Sequence, residues 1–132
     1  HWRDWSSDVC SSDLGTAIAD MVKDLAVSPL ILGWVAAALI RVATGSATVA
    51  ITTAAGILAP IVAVKPGTNL ELLVLSMGAG SLTLSHVNDG GFWFVKEYFN
   101  LTVTQTLKTW TVMETVISVV ALVLVLALDM VV

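Results

Sequence analysis

The chain has 132 residues, of which 57% are hydrophobic and only 12% are charged, and its formal net charge is −4 at pH 7. The length indicates about one domain, and soluble domains typically carry about 25% charged residues. This composition excludes an intrinsically disordered protein, and a single cysteine excludes a disulfide scaffold. An acidic chain without a basic run is not expected to bind nucleic acid. An integral membrane protein, or a piece of one, remains.

The first residues differ in character from the rest of the chain. The segment from Asp4 to Leu14 reads DWSSDVCSSDL, has no hydrophobic period, and matches the in-frame translation of a common sequencing adapter. We therefore expect residues 1–14 to be an artefactual tail, with a genuine N-terminal tail as the alternative. The only cysteine, Cys10, lies in this segment. Such a junction would leave a C-terminal fragment of a longer protein.

The rest of the chain divides into apolar runs. A short amphipathic stretch, Thr16 to Val27, precedes Ser28 and Pro29, which are typical of the N-cap and first residue of a helix. The next run, Pro29 to Ala43, would form a helix roughly 22 Å long, which is shorter than the roughly 30 Å hydrocarbon core of a bilayer. Arg41 is the one charge in this run.

A second apolar run, Ala47 to Val64, follows the turn-forming residues 44–46 and is expected to end near Pro60. Two short apolar runs that meet at a small polar tip favour a re-entrant hairpin. Two ordinary membrane spans joined by a tight turn are the alternative. The polar residues 65–69 predict a turn after the second run.

The third apolar segment, Leu70 to Leu84, is followed by a polar interruption from Ser85 to Gly91. The segment Phe92 to Val95 is apolar again. The mixed stretch Lys96 to Lys108 is bracketed by aromatic residues, which are typical of the membrane interface. The nineteen residues from Trp110 to Leu128 are mostly Val, Leu and Ile, and they predict a complete membrane span.

The two interruptions near residues 44–48 and 85–91 indicate a function. Backbone groups without hydrogen bonds are costly in lipid, so a broken helix is tolerated only where protein or water surrounds it. Transporters use such breaks to bind substrates and ions, because helix N-termini attract anions and unwound carbonyls bind cations. A channel or a membrane-embedded enzyme could also contain them. The sequence has no metal-ligand cluster, phosphate loop or nucleophile motif, so neither an enzyme, nor a metal, nor a cofactor is expected.

Three strings, ATGSATVAITTAAG (43–56), SHVNDGGFWFVKEYFNL (85–101) and KTWTVMET (108–115), closely resemble the C-terminal end of the gluconate permease family. That family consists of gluconate:proton symporters of the bacterial inner membrane. The resemblance covers residues 15–132. It implies an all-α integral membrane fold, namely the C-terminal part of an inverted-repeat secondary transporter with a re-entrant hairpin, a broken helix and a final transmembrane helix.

On this resemblance, the hairpin would span about Pro29 to Val64 and the broken helix about Leu70 to Tyr98. The upstream half of the same transporter would hold the first repeat, so residues 15–132 are expected to be inactive alone. The implied partners are gluconate or a related sugar acid, protons and the lipid bilayer. Related folds often form homodimers, so a second copy is a further expected partner.

The substrate is expected between the hairpin tip and the second break. A guanidinium such as that of Arg41 can bind a carboxylate in bidentate fashion, and hydroxyls, amides and backbone N–H groups can bind a sugar acid. The alternatives are that Arg41 pairs with an upstream acidic residue or extends its charge to the membrane surface, and that the hydroxyls only cap helices. The candidate substrate-binding residues are Arg41, Thr44, Gly45, Ser46, Thr48 and Asn88.

Two residues of the second break, His86 and Asp89, are the candidates for proton coupling. Histidine titrates near neutral pH, and desolvation can raise the pKa of a carboxylic acid into the same range. The alternative is that Asp89 caps the following half-helix while His86 hydrogen-bonds a carbonyl group. Glu114 is expected to compensate the dipole of the last helix, and the neighbouring glycines 90 and 91 are expected to permit the break.

The sequence thus predicts a secondary active transporter that imports gluconate or a related sugar acid by proton symport. A membrane scaffold or subunit without transport activity is the alternative. The polar breaks favour the transporter, because a scaffold has no reason to keep His, Asn and Asp side chains near the middle of a membrane.

Overall fold

A computed structural model describes residues 27–64 and 67–131, in which helices alternate with turns and no β-strand occurs. The predicted all-α architecture is confirmed for this part of the chain. The tail expected at residues 1–14 and nearly all of the amphipathic stretch lie outside the described residues. The elements in chain order are α1 (Pro29–Thr44), α2 (Ala47–Val64), α3 (Leu70–Gly80), α4 (Gly90–Tyr98), α5 (Val103–Thr106), a π-helical turn (Leu107–Thr111) and α6 (Val112–Asp129).

Helix α1 begins and ends at local sequence signals. The hydroxyl of Ser28 accepts a hydrogen bond from the Leu30 N–H at 3.3 Å, and Pro29 is the first helical residue. At the other end, Gly45 adopts a left-handed conformation with φ of 72° and donates its N–H to the Arg41 carbonyl at 2.8 Å. Glycine is the usual residue at such a C-cap because it has no Cβ. Both predicted ends of α1 are therefore confirmed to within one residue.

Helix α2 continues through Pro60 to Val64, so the expectation that it ends near the proline is wrong. A proline removes one hydrogen bond from a helix, and only four residues follow it here, so the helix tolerates the loss. The 16 residues of α1 and the 18 of α2 correspond to roughly 24 and 27 Å of helix, below the roughly 30 Å of a hydrocarbon core.

Helix α3 ends at Gly80, four residues before the predicted boundary at Leu84. The chain tightens there, because Leu82 and Thr83 donate to the carbonyls three residues back, at 3.2 and 3.1 Å. Leu84 then has a positive φ of 49°, which no continuing helix allows. The irregular segment 81–89, called the break below, thus includes the predicted interruption and begins earlier than expected.

The last helix is longer than the sequence predicted. Thr102 and Gln105 form a reciprocal capping box, which starts the helix at Val103, seven residues before Trp110. α5, the π-helical turn and α6 together form one helix, Val103–Asp129, whose 27 residues are long and apolar enough to cross a membrane. Among the described residues it is the one helix with that length.

The core lies where α1 packs against α2 and α3, and where α3 packs against α6. Large apolar side chains also face outward, such as Leu39 at 67% exposure and Phe94 at 70%. Outward apolar side chains at this density suit a lipid or protein environment. The buried apolar cluster consists of Leu30, Ala37, Ala54, Leu58, Ile61, Leu72, Leu73, Met77 and Val125.

The close contact of α1 with α3 requires glycine at position 80. A Cβ there would lie 2.3 Å from the carbonyl oxygen of Trp34, whereas a Cβ at Gly78 would meet nothing within 4 Å. We expect Gly80→Ala to destabilise the chain by about 1–3 kcal/mol, because overpacking forces the helices apart. Gly78→Ala is the matched control and should leave stability unchanged or raise it by up to about 1 kcal/mol. Thermal unfolding in detergent measures both; equal midpoints for the two variants would contradict the packing argument.

Candidate functional site

The tip between α1 and α2 lies directly against the break. We define the tip as residues 41–48. A Cβ at Gly45 would lie only 2.2 Å from the backbone oxygen of Asn88, so the two backbones approach as closely as glycine allows. The side-chain amide of Asn88 also donates to the carbonyl of Val42 at 3.0 Å. The contact between tip and break is called the junction below.

A largely buried ion pair joins the two sides of the junction. The Nη2 of Arg41 lies 2.5 Å from Oδ2 of Asp89, and the two side chains are 6% and 15% exposed. The Nη1 of Arg41 donates to the carbonyl of Gly45, and its Nε is buried and has no hydrogen-bond partner among the residues that the structure describes. The sequence offered an upstream acidic residue as the alternative partner of Arg41, whereas Asp89 lies downstream. Two of the five guanidinium N–H donors are used in these bonds.

The carboxylate of Asp89 is bound on both oxygens. Oδ2 accepts from the Ser85 hydroxyl as well as from Arg41, and Oδ1 accepts from the Gly91 N–H at 2.9 Å. Asp89 is thus the N-cap of α4, as the alternative interpretation expected. Three donors, one of them a cation, stabilise the ionised form of this carboxylate.

The beginning of the last helix forms a third side of the junction. The indole N–H of Trp110 donates to the Ser85 hydroxyl at 2.8 Å, and the Thr111 hydroxyl donates to the Ser85 carbonyl. The sequence placed Trp110 at the membrane interface and gave Ser85 and Thr111 no role. An indole N–H that is removed from water needs an acceptor, and this requirement was the available signal for the contact of the half-buried Trp110.

A second set of hydroxyl contacts fixes the start of the break. The hydroxyl of Ser118 donates to the Ala79 carbonyl at 2.6 Å and lies 2.7 Å from the Thr83 hydroxyl. The indole N–H of Trp34 donates to Ser118 at 3.1 Å. The end of α3 is therefore tied to both α1 and α6, which leaves the break little freedom to move without breaking buried hydrogen bonds.

The predicted hydroxyl ligands lie at the tip but do not converge on one point. Thr44 is exposed and donates to the Ile40 carbonyl at 2.8 Å, and the half-buried Ser46 hydroxyl accepts from the Val49 N–H at 3.4 Å. Thr48 is exposed in the first turn of α2, and its hydroxyl has no partner among the described residues. The structure thus brings Arg41 and Gly45 together with the break, while these three hydroxyls border it.

His86 lies beside the ion pair in sequence but does not join it. Its Nδ1 is 2.7 Å from the carbonyl of Leu84, so Nδ1 carries the hydrogen in this contact and Nε2 has no partner among the described residues. This carbonyl contact was the alternative expected for His86. Within residues 27–64 and 67–131, no three His, Cys, Asp or Glu side chains lie close enough to hold a metal ion.

Comparison with known proteins assigns the chain to a family. The GntP family permease model matches residues 6–131. The chain is 56% identical over 121 residues to a gluconate permease of Pseudomonas aeruginosa, covering 92% of this chain and 27% of that protein. It is 52% identical to the high-affinity gluconate transporter of Escherichia coli, over 87% of this chain and 26% of the relative.

A further relative is the Gnt-II system L-idonate transporter of Escherichia coli, which is 52% identical over 89% of this chain and 27% of its own length. No solved structure matches the chain. The chain spans about a quarter of the length of the curated relatives that it matches. The matched residues include the tip, the break and the last helix, so the chain belongs to the GntP permease family, a family of membrane transporters.

Proposed function

We propose that this chain is the part of a bacterial inner-membrane, multi-pass permease that binds a sugar acid and couples its import to protons. The observation that carries the proposal is the largely buried Arg41–Asp89 pair, which joins the tip to the break. A buried ion pair adds little stability over apolar packing of the same volume. Its presence in an apolar chain therefore favours a role in maintaining the geometry of a binding site. The relatives named for gluconate and for L-idonate support a sugar acid as the substrate.

The polar groups that border the junction match the chemistry of such a substrate. A sugar acid carries a carboxylate followed by a row of hydroxyls. The side chains of Thr44, Thr48 and Asn88 are exposed beside the ion pair and offer hydroxyl and amide groups for these hydroxyls. The first turn of α2 offers backbone N–H groups to the carboxylate. We assign Arg41 a positioning role, because two of its donors hold Asp89 and the Gly45 carbonyl together across the junction.

The lengths of the helices support the membrane arrangement. α1 and α2 are each shorter than a hydrocarbon core, and they pack against each other. We propose that they form a re-entrant hairpin whose tip meets the broken helix α3–α4 near the middle of the membrane. The first inverted repeat would lie in the upstream half of the transporter. Alternating access would then move the junction between the two sides of the membrane.

The experiment uses a chimera, in which residues 15–132 replace the matching segment of the Pseudomonas aeruginosa relative. Uptake of labelled gluconate into vesicles is measured with and without an imposed inward proton gradient. We expect uptake that the gradient stimulates and that unlabelled gluconate competes. Residues 15–132 alone are expected to show none.

Two exposed threonines of α2 provide a matched test of the site. Thr48 lies at the tip, whereas Thr53 lies more than a turn further along, and neither hydroxyl has a partner among the described residues. We expect Thr48→Val to raise the KM for gluconate by about tenfold, as loss of one hydrogen bond worth about 1.4 kcal/mol would. Thr53→Val should leave it unchanged. Equal values for both variants would remove the tip from the binding site.

A further inference from the structure

Glu114 lies on the face of the last helix that contacts the break. Residues three or four positions apart share one face of a helix, and Trp110, Thr111 and Ser118 stand at those distances from Glu114. All three of these residues hydrogen-bond to the break or to the end of α3. The adjacent Thr115 hydroxyl accepts the Leu84 N–H at 3.3 Å. The half-buried Glu114 side chain is therefore placed beside the junction.

The charges around Glu114 come from both sides of the junction. Its carboxyl group interacts electrostatically with Arg41 from α1 and with Asp89 from the break. These two residues already form an ion pair, and Glu114 has no hydrogen-bond or ion-pair partner among the described residues. An ionised Glu114 therefore leaves the cluster with a net negative charge, and a protonated Glu114 makes the cluster neutral.

The backbone beside Glu114 is also unusual. The π-helical turn Leu107–Thr111 ends three residues before it, and the hydroxyl of Thr115 donates back to the carbonyl of Thr111 at 2.7 Å. π-Helical turns inside α-helices occur frequently at functional sites, because they change which residues face a neighbour. Here the turn brings Trp110 and Thr111 together onto Ser85, and the next turn of the helix presents Glu114.

We propose that Glu114 takes up the proton that is cotransported with the sugar acid. The inference rests on the proposed function. A proton from the outer side binds a carboxylate oxygen of Glu114, and the neutral junction then accepts the anionic substrate without charge repulsion. On the inner side the substrate and the proton both leave, and the carboxylate is restored. Asp89 is less suited to this role, because three donors already bind its ionised form.

The test compares Glu114→Gln with Glu97→Gln in the chimera. Glu97 is an exposed carboxylate on α4, paired with Lys96 at 2.6 Å, and serves as the control. Two readouts are taken, namely gradient-driven accumulation of labelled gluconate and exchange of external for internal gluconate without a gradient. Exchange moves no net proton. We expect E114Q to lose accumulation and to keep exchange, and E97Q to keep both.

The possible outcomes separate the two proposals. No gluconate uptake by the unsubstituted chimera, shown to be folded in the membrane, overturns the proposed function. Normal transport by that chimera together with normal accumulation by E114Q overturns the role of Glu114 alone. Loss of both accumulation and exchange in E114Q also overturns it, because such a variant lacks binding rather than coupling.

A spectroscopic readout does not depend on transport. Infrared difference spectra of the chimera between acidic and alkaline pH should contain a carboxylic acid C=O band that E114Q lacks and E97Q retains. His86→Gln should leave this band in place. A spectrum in which E114Q removes no band would show that Glu114 does not exchange a proton, and it would overturn the proposal.

Discussion

Replacement of Arg41 by methionine is expected to abolish sugar-acid uptake by the chimera and to destabilise it by about 3–5 kcal/mol. The substitution leaves the Asp89 carboxylate, 15% exposed, without its cationic partner. It also leaves the Gly45 carbonyl without the donor that holds the tip. Removing one member of a buried ion pair is costly, because the remaining charge stays desolvated. Uptake and the thermal unfolding midpoint in detergent measure the two effects.

A second ion pair in the same chain supplies the control. Lys96 pairs with Glu97 at 2.6 Å, but their side chains are 23% and 73% exposed. Exposed pairs contribute at most about 1 kcal/mol, so Lys96→Met should change the unfolding midpoint only slightly. If both methionine variants lose the same stability, the argument from burial of the Arg41 pair is wrong.

The double variant Arg41→Met with Asp89→Asn separates the effect of an unpaired charge from the loss of the contact with the Gly45 carbonyl. It leaves no unpaired charge, so we expect it to be more stable than Arg41→Met alone. Its effect on stability should therefore be less than the sum of the two single effects. Uptake should not return, because the guanidinium that binds the Gly45 carbonyl is still missing. A double variant with normal uptake would show that the pair is dispensable for the junction.

The parts of the fold that the sequence predicted well depend on local signals. Ser28 and Pro29 start α1, and Gly45, in the predicted turn, ends it, each through contacts within four residues along the chain. Such contacts can be predicted from sequence, because the side chain and the backbone group that it binds are only a few residues apart. The end of α3 at Gly80 was missed, because the hydroxyl contacts that fix it come from Ser118 and Trp34, which belong to other helices.

The sequence identified residues of the site, but it did not predict which of them contact one another. The polar interruption pointed to Asp89, and the charge in an apolar run pointed to Arg41, yet 48 residues separate these partners along the chain. A single sequence contains no information on which distant polar groups meet. Glu114 was assigned to the helix dipole for the same reason, since the first turn of a helix explains an acidic residue without reference to any neighbour.

Replacement of Gly45 by alanine is expected to separate the tip from the break and to abolish uptake by the chimera. Gly45 has a φ of 72°, and a Cβ would lie 2.2 Å from the Asn88 oxygen and 2.7 Å from its carbonyl carbon. The left-handed backbone costs alanine about 1 kcal/mol, and the overlap adds about 1–3 kcal/mol because a backbone cannot yield as a flexible side chain can. The expected result is loss of both accumulation and exchange of gluconate.

Gly56 on α2 is the matched control, since a Cβ there would meet nothing within 4 Å. Gly56→Ala should keep uptake and raise stability by about 0.5–1 kcal/mol, because alanine is the better helix former. The comparison isolates the contact with Asn88, because both variants add the same methyl group to the α1–α2 segment. Normal uptake by Gly45→Ala would mean that transport does not require contact between the tip and the break. The substrate would then have to bind elsewhere than at the junction.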